Sequence, residues 1–250
     1  MTVWLLPLLG FITGLLIISL GGGGGAVYVG ALTAVFNIPP AIAASTSLAT
    51  VIPTTAVGAL SHWKAGNVNM RIGAVMLCGG LAGTVAGSLF SGTLPDALYD
   101  KITGGILVLL ALQMSVSYLR HPRNSGAVPS HSHVKALAFG LLGGVMVGLV
   151  GLSGGGPIVA GLLILGCSPL EAVGTSVFVI FGMSIVGFLA HLSLGKIDWP
   201  LVGLLTAGTA SGAFAGPLLL SHADRQKTER MLRPVIITVT FFMGMAVLGK

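Results

Sequence analysis

Residues 11–25 read FITGLLIISLGGGGG and residues 144–157 read GVMVGLVGLSGGGP, so an apolar stretch runs directly into glycine at two places. Consecutive glycines are costly in a regular helix, because glycine loses more conformational freedom on folding than any other residue. We therefore expect the backbone to leave the helix at both runs. These two breaks, Gly21–Gly25 and Gly151–Gly156, indicate how the rest of the chain folds.

The composition indicates the class of protein. Hydrophobic residues make up 54% of the 250 residues and charged residues 7%, and the mean hydropathy is +1.00. A soluble domain carries about 25% charged residues, because its surface faces water. Apolar stretches of the length that crosses a bilayer, roughly 20 residues, recur along the chain. Because the alternation expected of a β-barrel is absent, the sequence predicts an all-α, polytopic helical membrane protein.

The net charge and the two cysteines do not point to any further function or site. The net charge of +6 is better explained by Lys and Arg in cytoplasmic loops than by nucleic acid, since no basic cluster has interleaved aromatic residues. Cys78 and Cys167 lack CxxC spacing and read as small buried residues. No basic region precedes the first apolar stretch, so a cleaved signal peptide is not expected.

The two halves of the chain repeat at an offset of 129 residues. Gly22 aligns with Gly151 and Gly25 with Gly154, and rarer residue types keep the same register. The further matches include Pro40 with Pro169, Thr46 with Thr175, Ser47 with Ser176, and His62 with His191. The repeat predicts a membrane repeat at 1–119, a cytoplasmic linker at 120–135 and a second membrane repeat at 136–250.

Each half is predicted to contain one helix, a glycine break, a short apolar piece closed by proline, and three longer helices. The predicted ranges are 4–20, 26–36, 41–60, 71–91 and 98–119, then 134–150, 157–165, 170–190, 200–220 and 234–249. The short piece, roughly 15 Å of helix, cannot span alone. If it returns to its starting side, the halves are inverted and nine of the twelve Lys and Arg lie inside. We therefore predict inverted-topology repeats with broken, re-entrant helices and both termini outside.

The breaks and the hydroxyl pairs are the candidate binding residues. Half-helix N-termini at the breaks offer free N–H groups to an anion, although tight helix packing would also favour glycine there. Hydroxyls in the helix that follows can donate to an oxyanion, although such side chains commonly bond their own helix. The candidates are Gly22, Gly25, Thr46, Ser47, Gly151, Ser153, Gly154, Thr175 and Ser176.

A proton relay is a second hypothesis. It would use His62 and His191, at the ends of matching helices, and Glu171, which has no counterpart in the first half. The simpler interpretations are interfacial histidines and a carboxylate that stabilises a helix N-terminus. His131 and His133 lie in the linker, and no metal site is predicted. The glycine stripes at 79, 83, 87 and at 208, 212, 216 are assigned to helix packing.

A glycine break, a short piece ending in proline and an Ala-x-x-Thr-Ser helix start, each present twice, resemble the TauE/SafE family of sulfite and organosulfonate exporters. The resemblance covers nearly the whole chain. It implies a secondary transporter of small sulfur-containing anions, such as sulfite and sulfoacetate. By position it implies pathway roles for the breaks and the Thr-Ser pairs. Ser153 and Pro157 have no counterpart in the first half, so equal contact of both halves with substrate does not follow.

We therefore expect a secondary transporter in the cytoplasmic membrane that exports such anions by alternating access. No GxxxxGK[ST] loop is present, so this chain encodes no ATP-driven step. The alternatives are an anion channel of the same substrate class and a permease for another small organic anion. An enzyme is not expected, because no nucleophile and base or ligand spacing lies within the spans. The expected partners are the small anionic substrate and the lipid bilayer, with no nucleic acid and no cofactor; a homodimer is left open.

Overall fold

The computed structural model describes residues 5–20, 23–119, 132–192, 197–220 and 225–250, and within these ranges the chain is helical and contains no strand. Ten helices are found in this described part, five in each half. Their bounds are α1 Leu5–Leu20, α2 Gly25–Ala34, α3 Pro40–Lys64, α4 Met70–Ser91, α5 Asp96–Leu119, α6 His133–Val150, α7 Gly155–Ile164, α8 Pro169–Leu192, α9 Trp199–Leu220 and α10 Arg225–Leu248.

The element order confirms the all-helical prediction, and most bounds lie within a few residues of those expected. α10 is the exception, because it begins at Arg225 and contains Pro234, which was predicted to start it. A proline inside a membrane helix is tolerated where neighbouring groups satisfy the freed carbonyl. α6 begins at His133, inside the predicted linker, with Ser132 as its N-cap. Residues 120–131 of that linker, including His131, lie outside the described residues.

α7 folds back along α6 instead of continuing it. A Cβ built on Gly143 would lie 2.9 Å from the Ile158 side chain, and one built on Gly161 would lie 2.5 Å from the Phe139 ring. Residue numbers therefore rise along one helix as they fall along the other. The broken pair forms a hairpin, so α7 ends on the side from which α6 started.

The glycine stripes pack helices together, as predicted, and the helices that they join belong to different halves. Added Cβ atoms on Gly79, Gly83 and Gly87 would meet the carbonyl oxygens of Leu137, Leu141 and Val145, so α4 and α6 run in the same direction with their backbones in contact. In the repeat-related pair, Gly208 and Gly212 face the backbones of Pro7 and Phe11, which joins α9 to α1. Close approach of this kind is what small residues permit in membrane helices.

Equivalent helices of the two halves run in opposite directions where they touch. In the α3–α8 pair, Gly58 faces Val177 and Gly187 faces Leu48. In the α5–α10 pair, Gly104 faces Leu248 and Gly244 faces Val108. The numbers fall in one helix as they rise in the other in both pairs.

The outer surface is apolar. Leu89 is 70% exposed, and Leu109 and Phe242 are each 66% exposed. Five of the described helices, α3, α4, α5, α6 and α8, have the length and hydropathy of membrane spans. Exposed apolar area of this extent marks a surface that is covered by lipid.

Candidate functional site

The two glycine breaks meet inside the protein, at a place that we call the crossing and define as residues 23–25 and 151–154. The N–H of Gly25 donates to Ser153 Oγ at 3.3 Å. Gly24 and Gly154, the N-caps of α2 and α7, have φ values of 69° and 63°. Only glycine adopts this left-handed conformation without steric cost, which explains why glycine stands at these turns.

Ser47 ties α3 to both breaks. Its hydroxyl lies 3.4 Å from the carbonyl oxygen of Gly25 and 3.1 Å from that of Gly151. The packing is tight, because a Cβ built on Gly25 would lie 2.6 Å from the backbone nitrogen of Ser153. Of the predicted binding residues, the structure therefore brings together Gly25, Ser47, Gly151, Ser153 and Gly154. Gly22 lies outside the described residues.

The N-termini of two short helices converge at the crossing. The first-turn N–H groups of a helix lack partners within the helix and carry a partial positive charge. α2 and α7 each have 10 residues, or roughly 15 Å of helix. In α2 the N–H of Gly25 donates to Ser153 Oγ and that of Val27 to the carbonyl oxygen of Gly24, so the helix ends contribute mainly their partial positive charge. A partial positive charge of this kind suits an anion.

The offset of 129 residues between the two halves becomes 130 at the short helices. The N-caps Gly24 and Gly154 are 130 positions apart, whereas Pro40 and Pro169 are 129 apart. The first half therefore has one more residue in the turn before α3. Asn37 lies in that turn with a φ of 54°, a left-handed conformation that asparagine tolerates better than most residues.

The two Thr-Ser pairs differ in their surroundings. Thr175 Oγ1 accepts a hydrogen bond from the N–H of Asn69 at 2.9 Å, in the turn between α3 and α4. Ser176 donates to the carbonyl oxygen of Val173 at 2.8 Å. Thr46, the counterpart of Thr175, is fully buried and its hydroxyl has no hydrogen-bond partner. Related positions therefore carry different hydrogen bonds in the two halves.

Glu171 lies in the first turn of α8, as expected, and also contacts the other half. Its Oε2 accepts from the N–H of Ser168 at 3.3 Å, which is half of a capping box. Its Oε1 accepts from Asn69 Nδ2 at 2.7 Å. Asn69 also caps α4 through its Oδ1. The Asn69–Glu171 contact therefore joins the α3–α4 turn of one half to α8 of the other.

Cys167 lies in the turn just before α8, where burial and then the negative charge of Glu171 raise the pKa of its thiol to about 11. Both causes disfavour the thiolate. Within the described residues no group of three His, Cys, Asp or Glu side chains could hold a metal ion.

The two repeat-related histidines are not equivalent. His62 is half-buried and its Cβ lies near Gly174 of α8. His191, in the last turn of α8, is only 1% exposed. Neither of its ring nitrogens makes a hydrogen bond of normal geometry, and the backbone of Gly187, one turn earlier, offers only a weak one.

The residue that sequence reasoning missed at this site is Tyr28. Its hydroxyl lies 2.8 Å from Thr13 Oγ1 and 3.0 Å from Thr209 Oγ1, so it joins α2 to α1 and α9. A single phenol in a short apolar helix was the available signal. The two threonines could not be assigned to it, because they come from distant parts of the chain.

Known proteins resemble this chain over nearly its whole length. The family model for the sulfite exporter TauE/SafE matches residues 6–247. YdhB, a probable membrane transporter protein of Bacillus subtilis (strain 168), is 28% identical over 250 residues, which cover 98% of each chain. YunE, another probable membrane transporter protein of that strain, is 25% identical over 262 residues, or 96% of each chain. ORF9 of Sinorhizobium sp, with the same description, is 28% identical over 236 residues, or 92% of this chain and 87% of its own.

No solved structure matches the chain. The family match extends over nearly every described helix, and the relatives are similar over almost their full length. The protein is a multi-pass membrane transporter and not an enzyme, and it belongs to the sulfite exporter TauE/SafE family.

Proposed function

We propose that the protein carries sulfite or a small organosulfonate out of the cell by alternating access, with the substrate bound at the crossing. The observation on which this proposal rests most is the meeting of the α2 and α7 N-termini beside Ser47 and Ser153. Backbone N–H and hydroxyl groups donate to sulfonate or sulfite oxygens without a counter-charge that would hold the anion permanently.

The charge distribution favours release as well as binding. Each Lys and Arg whose side chain is described is exposed, namely Lys64, Arg71, Lys101, Lys135 and Lys250. A buried cation beside the crossing would strengthen the binding of an anion and slow its departure. An interior-negative potential also favours the exit of an anion, by about 2.3 kcal/mol per charge per 100 mV.

We further propose that the two halves are inverted repeats. The opposite directions of α3 and α8, and of α5 and α10, support this arrangement, because repeats of parallel topology would place equivalent helices in the same direction.

Alternating access requires contacts between the halves that form on one side and break on the other. The difference between Thr175, which accepts from Asn69, and the unpartnered Thr46 supports such an asymmetric state. The Asn69–Glu171 contact would then close the side that bears the linker. Tight packing at Gly25 favours this carrier over a continuously open channel.

The test is sulfite counterflow in proteoliposomes. We expect saturable uptake of labelled sulfite that unlabelled sulfite on the opposite side accelerates, with sulfoacetate competing. Sulfite flux that shows no saturation and no acceleration would reject the carrier mechanism. Transport of a carboxylate in preference to every sulfur-containing anion would reject the substrate class.

A further inference from the structure

Three buried polar side chains near the end of α8 make no hydrogen bond of normal geometry, and none of them belongs to the crossing. His191 is 1% exposed, and neither ring nitrogen makes a hydrogen bond of normal geometry, the backbone of Gly187 one turn earlier offering only a weak one. Ser184 of the same helix is fully buried, Ser88 of α4 is 2% exposed, and both hydroxyls are unpartnered. A buried polar group without a partner costs about 1–3 kcal/mol, so a native fold rarely keeps several of them unless something fills the site.

Helix register places His191 and Ser88 in one layer. Gly187 of α8 faces Val147 of α6, Leu48 of α3 and Thr84 of α4. One turn closer to the end of α8, the corresponding residues are His191 of α8, Gly151 after α6, Ala44 of α3 and Ser88 of α4. Residue numbers fall along α3 in this direction because α3 runs opposite to α8. The contact of Gly151 with Ala44 verifies this layer independently.

The direction of α4 relative to α8 is well defined. Gly73 faces Thr175 and Gly80 faces Met183, so residue numbers rise together along the two helices. Ser184 lies two turns before His191 on the same face of α8, since seven residues are close to two turns. The unpartnered groups therefore follow one face of α8 toward its end.

Among the described residues of the helices that face it in this layer, His191 has no ionic partner. The facing segments 40–48 of α3, 84–91 of α4 and 147–151 of α6 contain no Asp, Glu, Lys, Arg, His, Cys or Tyr. An imidazole N–H and a serine O–H are then available as donors. An oxyanion, which only accepts hydrogen bonds, is complementary to such a pair.

We infer that His191 and Ser88 form a second binding site for the transported oxyanion, beside the crossing and near the end of α8, where both side chains donate to its oxygen atoms. Gly151 belongs both to this layer and to the crossing, so the two sites are neighbours. The inference rests on the proposed function and extends it with an outward step of the pathway. Ser184 lies on the same face of α8, two turns before His191.

The test compares His191→Phe and Ser88→Ala with the wild type in sulfite counterflow. Each variant removes a donor with little change in shape. We expect the half-saturation concentration for sulfite to rise about tenfold or more, which corresponds to the loss of a hydrogen bond to a charged group. The matched control is Ser115→Ala, because Ser115 donates to the carbonyl oxygen of Ala111 in its own helix, and no such rise is expected for it. Ser88→Ala, the smaller change, keeps the test valid if His191→Phe does not fold.

A direct readout separates this inference from the proposed function. In protein labelled with ¹⁵N-histidine, the ring resonances of His191 are those that are absent from the spectrum of His191→Phe. Sulfite should shift these resonances in the wild type. Normal sulfite transport by both variants would overturn the second site and leave the carrier intact. Resonances of His191 that do not respond to saturating sulfite would also overturn it, whatever the flux, and would mean that the site holds only water.

Discussion

Ser47 Oγ of the first repeat donates to the carbonyl oxygen of Gly151 in the second, at 3.1 Å. The same hydroxyl lies 3.4 Å from the carbonyl oxygen of Gly25. A carbonyl that has left its helix needs a donor inside a membrane protein, because lipid supplies none. Ser47 provides that donor at the place where the two broken helices meet, and it thereby fixes the breaks relative to α3.

Replacing Ser47 with alanine should therefore loosen the crossing. We expect a loss of stability of about 1 kcal/mol, since the hydroxyl has one proton to donate, and a fall in sulfite transport of several-fold. The matched control is Ser45→Ala, because Ser45 donates only to Ala41 and Ile42 of its own helix. Thermal unfolding in detergent and counterflow measure the two effects. Equal behaviour of the two variants would contradict the bridging role.

Gly151→Ala should be far more damaging. Gly151 has a φ of 69°, and an added Cβ would overlap the backbone of Ala44. Backbone strain of about 1–3 kcal/mol then adds to an overpacking cost of similar size. Gly105→Ala is the control, because no atom lies within 4 Å of its added Cβ, and it should leave stability unchanged or slightly raised. A melting temperature for Gly151→Ala equal to that of Gly105→Ala would contradict the tight crossing.

The sequence was sufficient to predict the breaks, the short helices and the glycine stripes, because each follows from local properties of glycine and proline. It could not predict the Asn69–Glu171 contact. Asn69 reads as an ordinary N-cap and Glu171 as an ordinary first-turn acid until the fold brings two distant turns together. The burial of His191 was missed for a similar reason. A histidine at a helix end is usually interfacial, and this one is buried because other helices pack around α8 in the folded protein.

The inverted arrangement predicts which turns face the cytoplasm. In a background without Cys78 and Cys167, Lys64→Cys should resist a membrane-impermeant maleimide in intact cells, whereas Thr93→Cys should react. Both positions are exposed, and α4 separates them. Permeabilised cells provide the control, since both variants should then react. The reverse labelling pattern would contradict the orientation with both termini outside.

The native thiol at Cys167 should react slowly at neutral pH. Its pKa is raised to about 11, so the thiolate is scarce near pH 7 and should rise about tenfold per pH unit below that pKa. Glu171→Gln removes the negative charge that contributes to this rise, so it should lower the pKa and speed alkylation at a given pH. The measurement is the alkylation rate between pH 7 and 9 in Cys78→Ala protein. A rate independent of pH would contradict the assignment.

The Asn69–Glu171 contact can be tested by exchanging its donor and acceptor. Asn69→Asp keeps the oxygen that caps α4 but places a carboxylate 2.7 Å from Glu171 Oε1, where the two negative charges repel. We expect a loss of stability of about 1 kcal/mol, since Glu171 is only half-buried, together with slower counterflow. Adding Glu171→Gln restores one amide donor and one carboxylate acceptor with their positions swapped, and it should recover both properties. If the double variant is no better than Asn69→Asp alone, then the contact does not couple the two halves, and the closed side of the carrier must be held by other residues.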